Sequence, residues 1–119
     1  MNEAKKTVVV TGGSRGIGAG IARLFGARGW HVVLTYVSNE AAAEGVVGDI
    51  SAAGGSARAV RCDTRHEADI KALFSGLRAA GTLPDALVNN AGVTGPKTRL
   101  EDLSLDTLRE VVDVNLVGL

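Results

Sequence analysis

The sequence predicts an α/β fold, a doubly wound parallel sheet with its strands in the order third, second, first, fourth. Three observations predict it. Four short apolar runs alternate with four stretches of helical periodicity over 119 residues. The runs are continuous rather than alternating, as strands covered on both faces require. The first run breaks into glycines at positions 12, 16 and 18, and a helical stretch follows at once. Repeated strand–helix–strand units imply right-handed crossovers and a crevice between the first and fourth strands.

The elements follow in order. Thr7–Thr11 is the first strand, and Ile17, Ile21, Leu24 and Phe25 mark the helix after it, stopped by Gly29. Trp30 is a packing residue before the second strand, His31–Val37. Ala43, Val46, Val47 and Ile50 mark the second helix, which ends near Gly54-Gly55. Glu40 falls in its first turn, where an acid favours the helix dipole. Ala57–Cys62 is the third strand, and Ile70, Leu73, Phe74 and Leu77 carry the third helix to a stop before Gly81 and Pro84. Asp85–Asn89 is the fourth strand. The last helix begins near Ser104, an N-cap, and carries Leu108, Val111, Val112 and Leu116. One domain spans residues 1–119, with no linker, repeat or low-complexity segment. The alternation stops within the fourth helix, at Val117-Gly118-Leu119, so the expectation is the N-terminal portion of a two-halved fold, truncated there.

Composition excludes several classes of function. Thirteen basic residues balance thirteen acidic ones, which argues against nucleic acid or an anionic membrane as partner. Aromatic residues at 3% leave no stacking platforms for single-stranded nucleic acid. A single cysteine, Cys62, excludes an internal disulfide and fits a reducing, cytoplasmic compartment. No apolar run reaches the length of a membrane span, and the opening Met1–Lys6 leads into a run too short for a signal peptide. His31 and His66 have no partner at metal-ligand spacing, so no metal is expected.

The glycine-rich bend carries the chemistry. A buried strand turning sharply into a helix leaves unpaired N–H groups at the positive end of the helix dipole, which is an anion site. Glycines let a phosphate approach the backbone with no Cβ in the way. The pattern G-x-x-x-G-x-G departs from the widespread G-x-G-x-x-G. No Lys-Ser or Lys-Thr pair closes the loop, which excludes a P-loop.

Further candidates sit at the carboxyl ends of the other strands. An NAD-preferring site places an acid about twenty residues beyond the glycines; here stand Tyr36 and Ser38. The missing acid removes a barrier to a 2′-phosphate, for which Arg15 supplies a cation, favouring NADP over NAD. A bare solvent-exposed Arg15 is the alternative. Asp63 either accepts from an adenine amino group or caps the following helix. Cys62 is a small buried filler. Asn89-Asn90 at the end of an apolar strand need partners for their amides, and Ala91 and Gly92 keep the wall thin beside a ribose. Asn115 falls on the helical face of Leu108, Val111 and Val112, where it is either a satisfied core amide or the holder of a water.

Thr11-Gly12-Gly13-Ser14-Arg15-Gly16-Ile17-Gly18, Asp63, Asn89-Asn90-Ala91-Gly92 and Val114-Asn115 together resemble the short-chain dehydrogenase/reductase family over essentially the whole chain. The branch resembled is that of the 3-oxoacyl-(acyl-carrier-protein) reductases and glucose dehydrogenases. The resemblance implies a Rossmann-type fold and hydride transfer between NADPH and a carbonyl or alcohol. It implies that Gly12, Ser14, Arg15, Gly16, Ile17 and Gly18 line the cofactor phosphates and that Asp63 meets adenine. Asn89, Ala91 and Gly92 then line the adenosine side. Asn115 matches the catalytic asparagine, which kinks its helix and holds a proton-relaying water. A homodimer or homotetramer is implied for the full-length form.

One departure is large. The family's catalytic serine, tyrosine and lysine fall beyond residue 119, and the only tyrosine, Tyr36, has no lysine four residues on. The expectation is therefore that this polypeptide alone does not catalyse. The alternative is a non-catalytic NADP(H)-binding module. A methyltransferase using S-adenosylmethionine normally needs an acid ending the second strand, which Tyr36 and the Asn89–Gly92 corner argue against.

Overall fold

The computed structural model describes residues 5–92 and 99–117. Strands β1 (Thr7–Val10), β2 (His31–Tyr36), β3 (Ser56–Arg61) and β4 (Ala86–Val88) form one parallel sheet in the order β3-β2-β1-β4. Helices α1 (Gly16–Ala27), α2 (Glu40–Ala52) and α3 (Glu67–Ala79) connect them, and α4 (Leu105–Val112) follows a 3-10 turn at Leu100–Asp102. The expected doubly wound α/β fold and strand order are present. Each strand predicted from the apolar runs is found, trimmed or shifted by a residue or two at its ends.

Strand alternation divides the core into two layers. Val8, Val10, Val32 and Leu34 face one side, with Ala19 and Ala22 of α1 and Ala43, Val46 and Ile50 of α2 packed on them. Val9 and Val33 face the other, against Cys62 and Leu73 and Leu77 of α3. β1 is buried throughout, whereas β3 and β4 are the outer strands and are half-exposed, with Leu87 at 48%. The expectation that all four runs are covered on both faces holds for β1 and the centre of β2 only. Fully buried central strands and partly covered outer ones follow from position in the sheet, which a run of apolar letters does not encode.

The face that α1 buries matches the expected one only in part: Ile21 and Phe25 pack against the core. Ile17 is 78% and Leu24 57% exposed, while Gly18, Ala19, Ala22 and Gly26 are buried. Small residues let α1 lie close to its neighbours: a Cβ on Gly26 would stand 2.7 Å from Cγ2 of Ile50 on α2. The helix selects its inner face by closeness of approach rather than by side-chain volume. α4 also differs. It buries no residue, and Leu108, Val112 and Leu116 are exposed. Its predicted N-cap is present, Ser104 Oγ accepting from Thr107 N at 3.1 Å. Trp30 packs edge-to-face on Phe25, with ring centroids 5.0 Å apart. His31 is half-buried and lies 2.6 Å from Ser56 Oγ through Nδ1. Burial and the nearby charges of Lys5 and Arg58 push its pKa down.

Candidate functional site

The bend between β1 and α1 is held open by three polar side chains. Thr35, 1% exposed on β2, accepts from Gly12 N at 3.1 Å through Oγ1, and its carbonyl accepts from Gly13 N at 3.1 Å. The Thr11 hydroxyl accepts from both Asn90 N and Ala91 N at 3.0 Å and donates to the Val88 carbonyl at 3.3 Å. Asn90 Nδ2 donates to the Gly12 carbonyl at 3.0 Å. The bend is thereby tied to the strands on either side of β1.

Its glycines are required in two different ways. Gly12 and Gly16 have φ of +66° and +57°, the left-handed region that side chains disfavour. Gly18 is required by space: a Cβ there would collide with the Gly12 carbonyl oxygen and Asn90 Nδ2. Around Gly16 a Cβ would meet nothing within 4 Å, so the space above it is open.

The start of α1 is arranged unlike the other helix starts. Asn39 Oδ1 caps α2 on Ala42 N at 3.0 Å, and Ser104 caps α4. α3 has Glu67 and Asp69 in its first turn. α1 has neither a side-chain cap nor an acid in its first turn. Its first amides and dipole are left for an anion.

That helix start opens into a cleft of about 610 Å³ at the carboxyl ends of the strands. Gly12, Ser14, Arg15, Gly16, Ile17 and Gly18 form one wall, and Tyr36 and Ser38 close the end of β2. Asp63 and Arg65 lie beyond β3, Ala91 and Gly92 beyond β4, and Glu110 and Val114 come from α4 and the π-helical turn that continues it (Asp113–Val117). Among the described residues Arg15 makes no ion pair. The end of β2 carries Tyr36, Ser38 and Asn39, with no acid before Glu40 opens α2.

Asp63 is 3% exposed and doubly engaged. Its carboxylate accepts from Arg65 Nη2 at 2.7 Å, from Nε at 3.0 and 3.2 Å, and from Arg65 N at 3.0 Å. Its own N–H donates to Asp69 Oδ2 at 2.9 Å, and Arg61 Nη1 donates to the same oxygen at 3.2 Å. The hydrogen bonds from the Arg65 guanidinium hold the Asp63 carboxyl down at about 2, against the opposing effect of burial. Neither open reading of Asp63 describes this pairing. The N-cap of α3 is His66, with no side-chain cap. Cys62 is buried, and burial, with the charges of Asp69 and Asp63, pushes its thiol pKa up. That makes it a filler rather than a nucleophile.

Of the residues singled out from sequence, Gly12, Ser14, Arg15, Gly16, Ile17, Gly18, Tyr36, Ser38, Asp63, Ala91 and Gly92 are brought together on this cleft. Asn89 is not: it is exposed and outside the lining, and Asn90 takes the place expected of it. Alternation at the strand end points neighbouring side chains in opposite directions. Asn115 was placed on the inner face of α4, yet it is exposed. The whole face is uncovered among the described residues, since Leu108 and Val112 are exposed with it. Asn115 Oδ1 nevertheless lies 3.1 Å from where a Gly92 Cβ would be, beside the cleft. The loop Val93–Arg99, expected to border the pocket, lies outside the described residues except for Arg99. Sequence reasoning gave no role to Thr11, Thr35, Arg65 and Asp69. A threonine buried inside an apolar strand was the one available signal, since such a hydroxyl needs a partner.

Among the described residues, no group of three or more His, Cys, Asp or Glu side chains is placed to hold a metal. No helix there is long and apolar enough to cross a membrane.

Comparison with known proteins places this geometry in a family. A sequence profile of the short chain dehydrogenases matches residues 6–119. The chain is 44% identical over 115 residues to a 3beta-hydroxysteroid dehydrogenase 1 of Eggerthella lenta, covering 95% of this chain and 43% of that protein. It is 40% identical over 114 residues to glucose 1-dehydrogenase 2 of Bacillus subtilis, covering 95% and 44%. It superposes on a metagenomic short-chain oxidoreductase solved in complex with NADP with a TM-score of 0.86 and 42% identity, covering 95% of this chain and 50% of that one. The chain thus spans less than half the length of these curated relatives. With the strand order, the amide-lined bend and the profile match over residues 6–119 in agreement, the chain belongs to the short-chain dehydrogenase/reductase family of oxidoreductases.

Proposed function

We propose that residues 1–119 form the NADP(H)-binding portion of an enzyme that transfers hydride between NADPH and a small carbonyl or alcohol substrate. One observation carries this reading: the uncapped start of α1 faces an open cleft whose β2 end bears Tyr36 and Ser38 in place of an acid. A dinucleotide fits the residues present. The collision that a Cβ on Gly18 would cause, and the open space above Gly16, describe a backbone surface shaped for close approach. The amides at the start of α1 hold the diphosphate, and Arg15 neutralises the 2′-phosphate. With no carboxylate ending β2, nothing there repels that phosphate. NAD is the less favoured cofactor for the same reason.

When bound, the nicotinamide supplies the hydride. The chain's own residues bind and orient: Thr11, Thr35 and Asn90 keep the bend in shape, and Ala91 and Gly92 keep the β4 wall thin. Asn115, beside Gly92, is placed to hold a water in a proton relay. Proton transfer to or from the substrate oxygen needs an acid–base group. The single tyrosine, Tyr36, sits at the β2 end with Glu40 four residues on. In the family's catalytic set the acid–base tyrosine works with a lysine four residues on, and Tyr36 has none. Residues 1–119 by themselves therefore bind without turnover, and the whole protein, a homodimer or homotetramer in the cytoplasm, supplies the missing groups.

Fluorescence titration of the whole protein with NADPH and NADH tests this. NADPH is expected to bind about tenfold more tightly or better, a difference of ~1.4 kcal/mol. Equal affinities overturn the cofactor choice, and no binding of either overturns the reading. Oxidation of NADPH by a panel of aldehydes and ketones separates the reductase from a module that binds the cofactor without reacting.

A further inference from the structure

The first turn of α3 carries two acids, Glu67 and Asp69, and they are placed differently. The Glu67 side chain is 81% exposed beside Lys71, an acid in water at the positive end of the helix. The Asp69 side chain is 26% exposed. It stands one turn and two turns ahead of Leu73 and Leu77, the buried leucines of α3, and so continues their stripe toward the end of β3. β3 is the outermost strand of the described sheet. Past its last residue, Cys62 N turns inward to the Tyr36 carbonyl at 2.9 Å. The next N–H, that of Asp63, has no strand beyond it in that sheet, and Asp69 Oδ2 accepts it at 2.9 Å from six residues along the chain. The same oxygen accepts from Arg61 Nη1 at 3.2 Å. His66 N donates to the Asp63 carbonyl at 2.9 Å and Arg65 N to Asp63 Oδ1 at 3.0 Å, which closes the segment between strand and helix as a turn on Asp63. An acid that served the helix dipole alone would have no reason to reach back so far.

Asp63, Thr64 and Arg65 of this turn line the cleft, and Asp69 stands behind them, outside the lining. Three N–H groups of Arg65 meet the Asp63 carboxylate, with Nε–H shared between its two oxygens. A carboxylate offers about four lone-pair sites, so acceptor capacity remains on a group that lines the cleft. We propose that Asp69 is a positioning residue for the base-binding end of the cleft: through the Asp63 N–H it fixes where the Asp63 carboxylate stands to accept the 6-amino group of the purine. This rests on the dinucleotide reading above, with Asp63 as amino acceptor, since His66 and not Asp63 is the N-cap of α3. Asp69 touches no cofactor atom. It matters because a hydrogen bond weakens steeply with distance and angle, and a contact is only as well placed as the group that supports it.

The test is equilibrium binding of NADPH and of its hypoxanthine analogue, which carries a 6-oxo group in place of the amino group. The full-length protein is used as wild type, Asp69→Ala, Asp69→Asn and Asp69→Glu, with circular dichroism to check the fold of each. The wild type is expected to favour NADPH by about tenfold. Asp69→Ala removes the acceptor of the Asp63 N–H, and is expected to weaken NADPH until the two dissociation constants agree within about threefold. Asp69→Asn keeps a carbonyl oxygen there and is expected to recover most of the preference. Asp69→Glu keeps the charge in the first turn but displaces the oxygen by a methylene, and is expected to lower the ratio too, which decides the matter should the alanine variant not fold. A merely structural role lowers both affinities together and leaves their ratio in place. That result, or a ratio untouched in Asp69→Ala and Asp69→Glu, overturns the inference. So does a wild type with no preference for NADPH, because Asp63 then selects no amino group. If the wild type binds neither dinucleotide, the dinucleotide reading itself fails.

Discussion

The Thr11 hydroxyl accepts the backbone N–H of Asn90 at 3.0 Å, although the two residues are 79 positions apart in the chain. The same oxygen takes Ala91 N, also at 3.0 Å, so one buried side chain ties the end of β1 to the loop after β4. Thr11→Val keeps the shape and deletes the acceptor, leaving two backbone donors without it. A loss of about 1–3 kcal/mol is expected, read as a lower denaturant midpoint with an unchanged slope. Thr11→Ser retains the oxygen and is expected to recover most of it.

Gly18 and Gly20 lie two residues apart in α1, one buried and one exposed, and are expected to respond with opposite signs. An alanine at Gly18 collides with the Gly12 carbonyl and Asn90 Nδ2. Overpacking of this kind costs about 1–3 kcal/mol, and moving the bend weakens cofactor binding with it. At Gly20 a Cβ meets nothing within 4 Å and φ is not positive. Gly20→Ala is expected to stabilise by about 0.5–1 kcal/mol. Thermal midpoints of the two variants check both signs.

Tyr36→Asp restores a carboxylate to the end of β2, where it repels a 2′-phosphate and accepts from a 2′-hydroxyl. The preference is expected to move from NADPH toward NADH by about tenfold or more. Arg15→Ala is expected to weaken NADPH and leave NADH nearly unchanged. Dissociation constants for both cofactors in each variant are the readout.

Asp63 supplies a pH dependence whose sign is definite. Its folded pKa of about 2 lies below the ordinary 3.8 because Arg65 favours the charged form. A depressed acid stabilises the fold above its unfolded pKa, and that stability drains away as pH falls through the window from 3.8 to about 2. At most about 2.5 kcal/mol is involved. Arg65→Ala is expected to flatten stability in that window, as followed by chemical denaturation at several pH values.

Much of the architecture was legible because it is written in local patterns. The helix stops at Gly29, Gly54 and Gly81 coincide with φ of +86°, +88° and +71°, a demand made by single residues. The Ser104 cap is equally local. The bend itself was legible for the same reason, since a strand, its glycines and a helix start lie within a dozen positions. Arg65 was not. Nothing in Asp63-Thr64-Arg65 says that the guanidinium folds back onto the carboxylate rather than into water, and Asp69 must hold the backbone for it to do so. Asn89 and Asn90 are alike as letters, and only the direction of β4 decides that Asn90 reaches Gly12.

By itself, the sequence determined the alternation of strands and helices, the anion-ready bend and the family, because these depend on periodicity and on residues close together in the chain. Tertiary structure alone decided which face each element buries. Ile17 and Leu24 lie outside on α1, while Gly18 and Gly26 lie inside. β3 and β4 are half-exposed where β1 is sealed. The physical reason is that burial and hydrogen-bond partnership are properties of pairs brought together across the fold, and close approach of backbones rewards the absence of a side chain, which no hydrophobic pattern records.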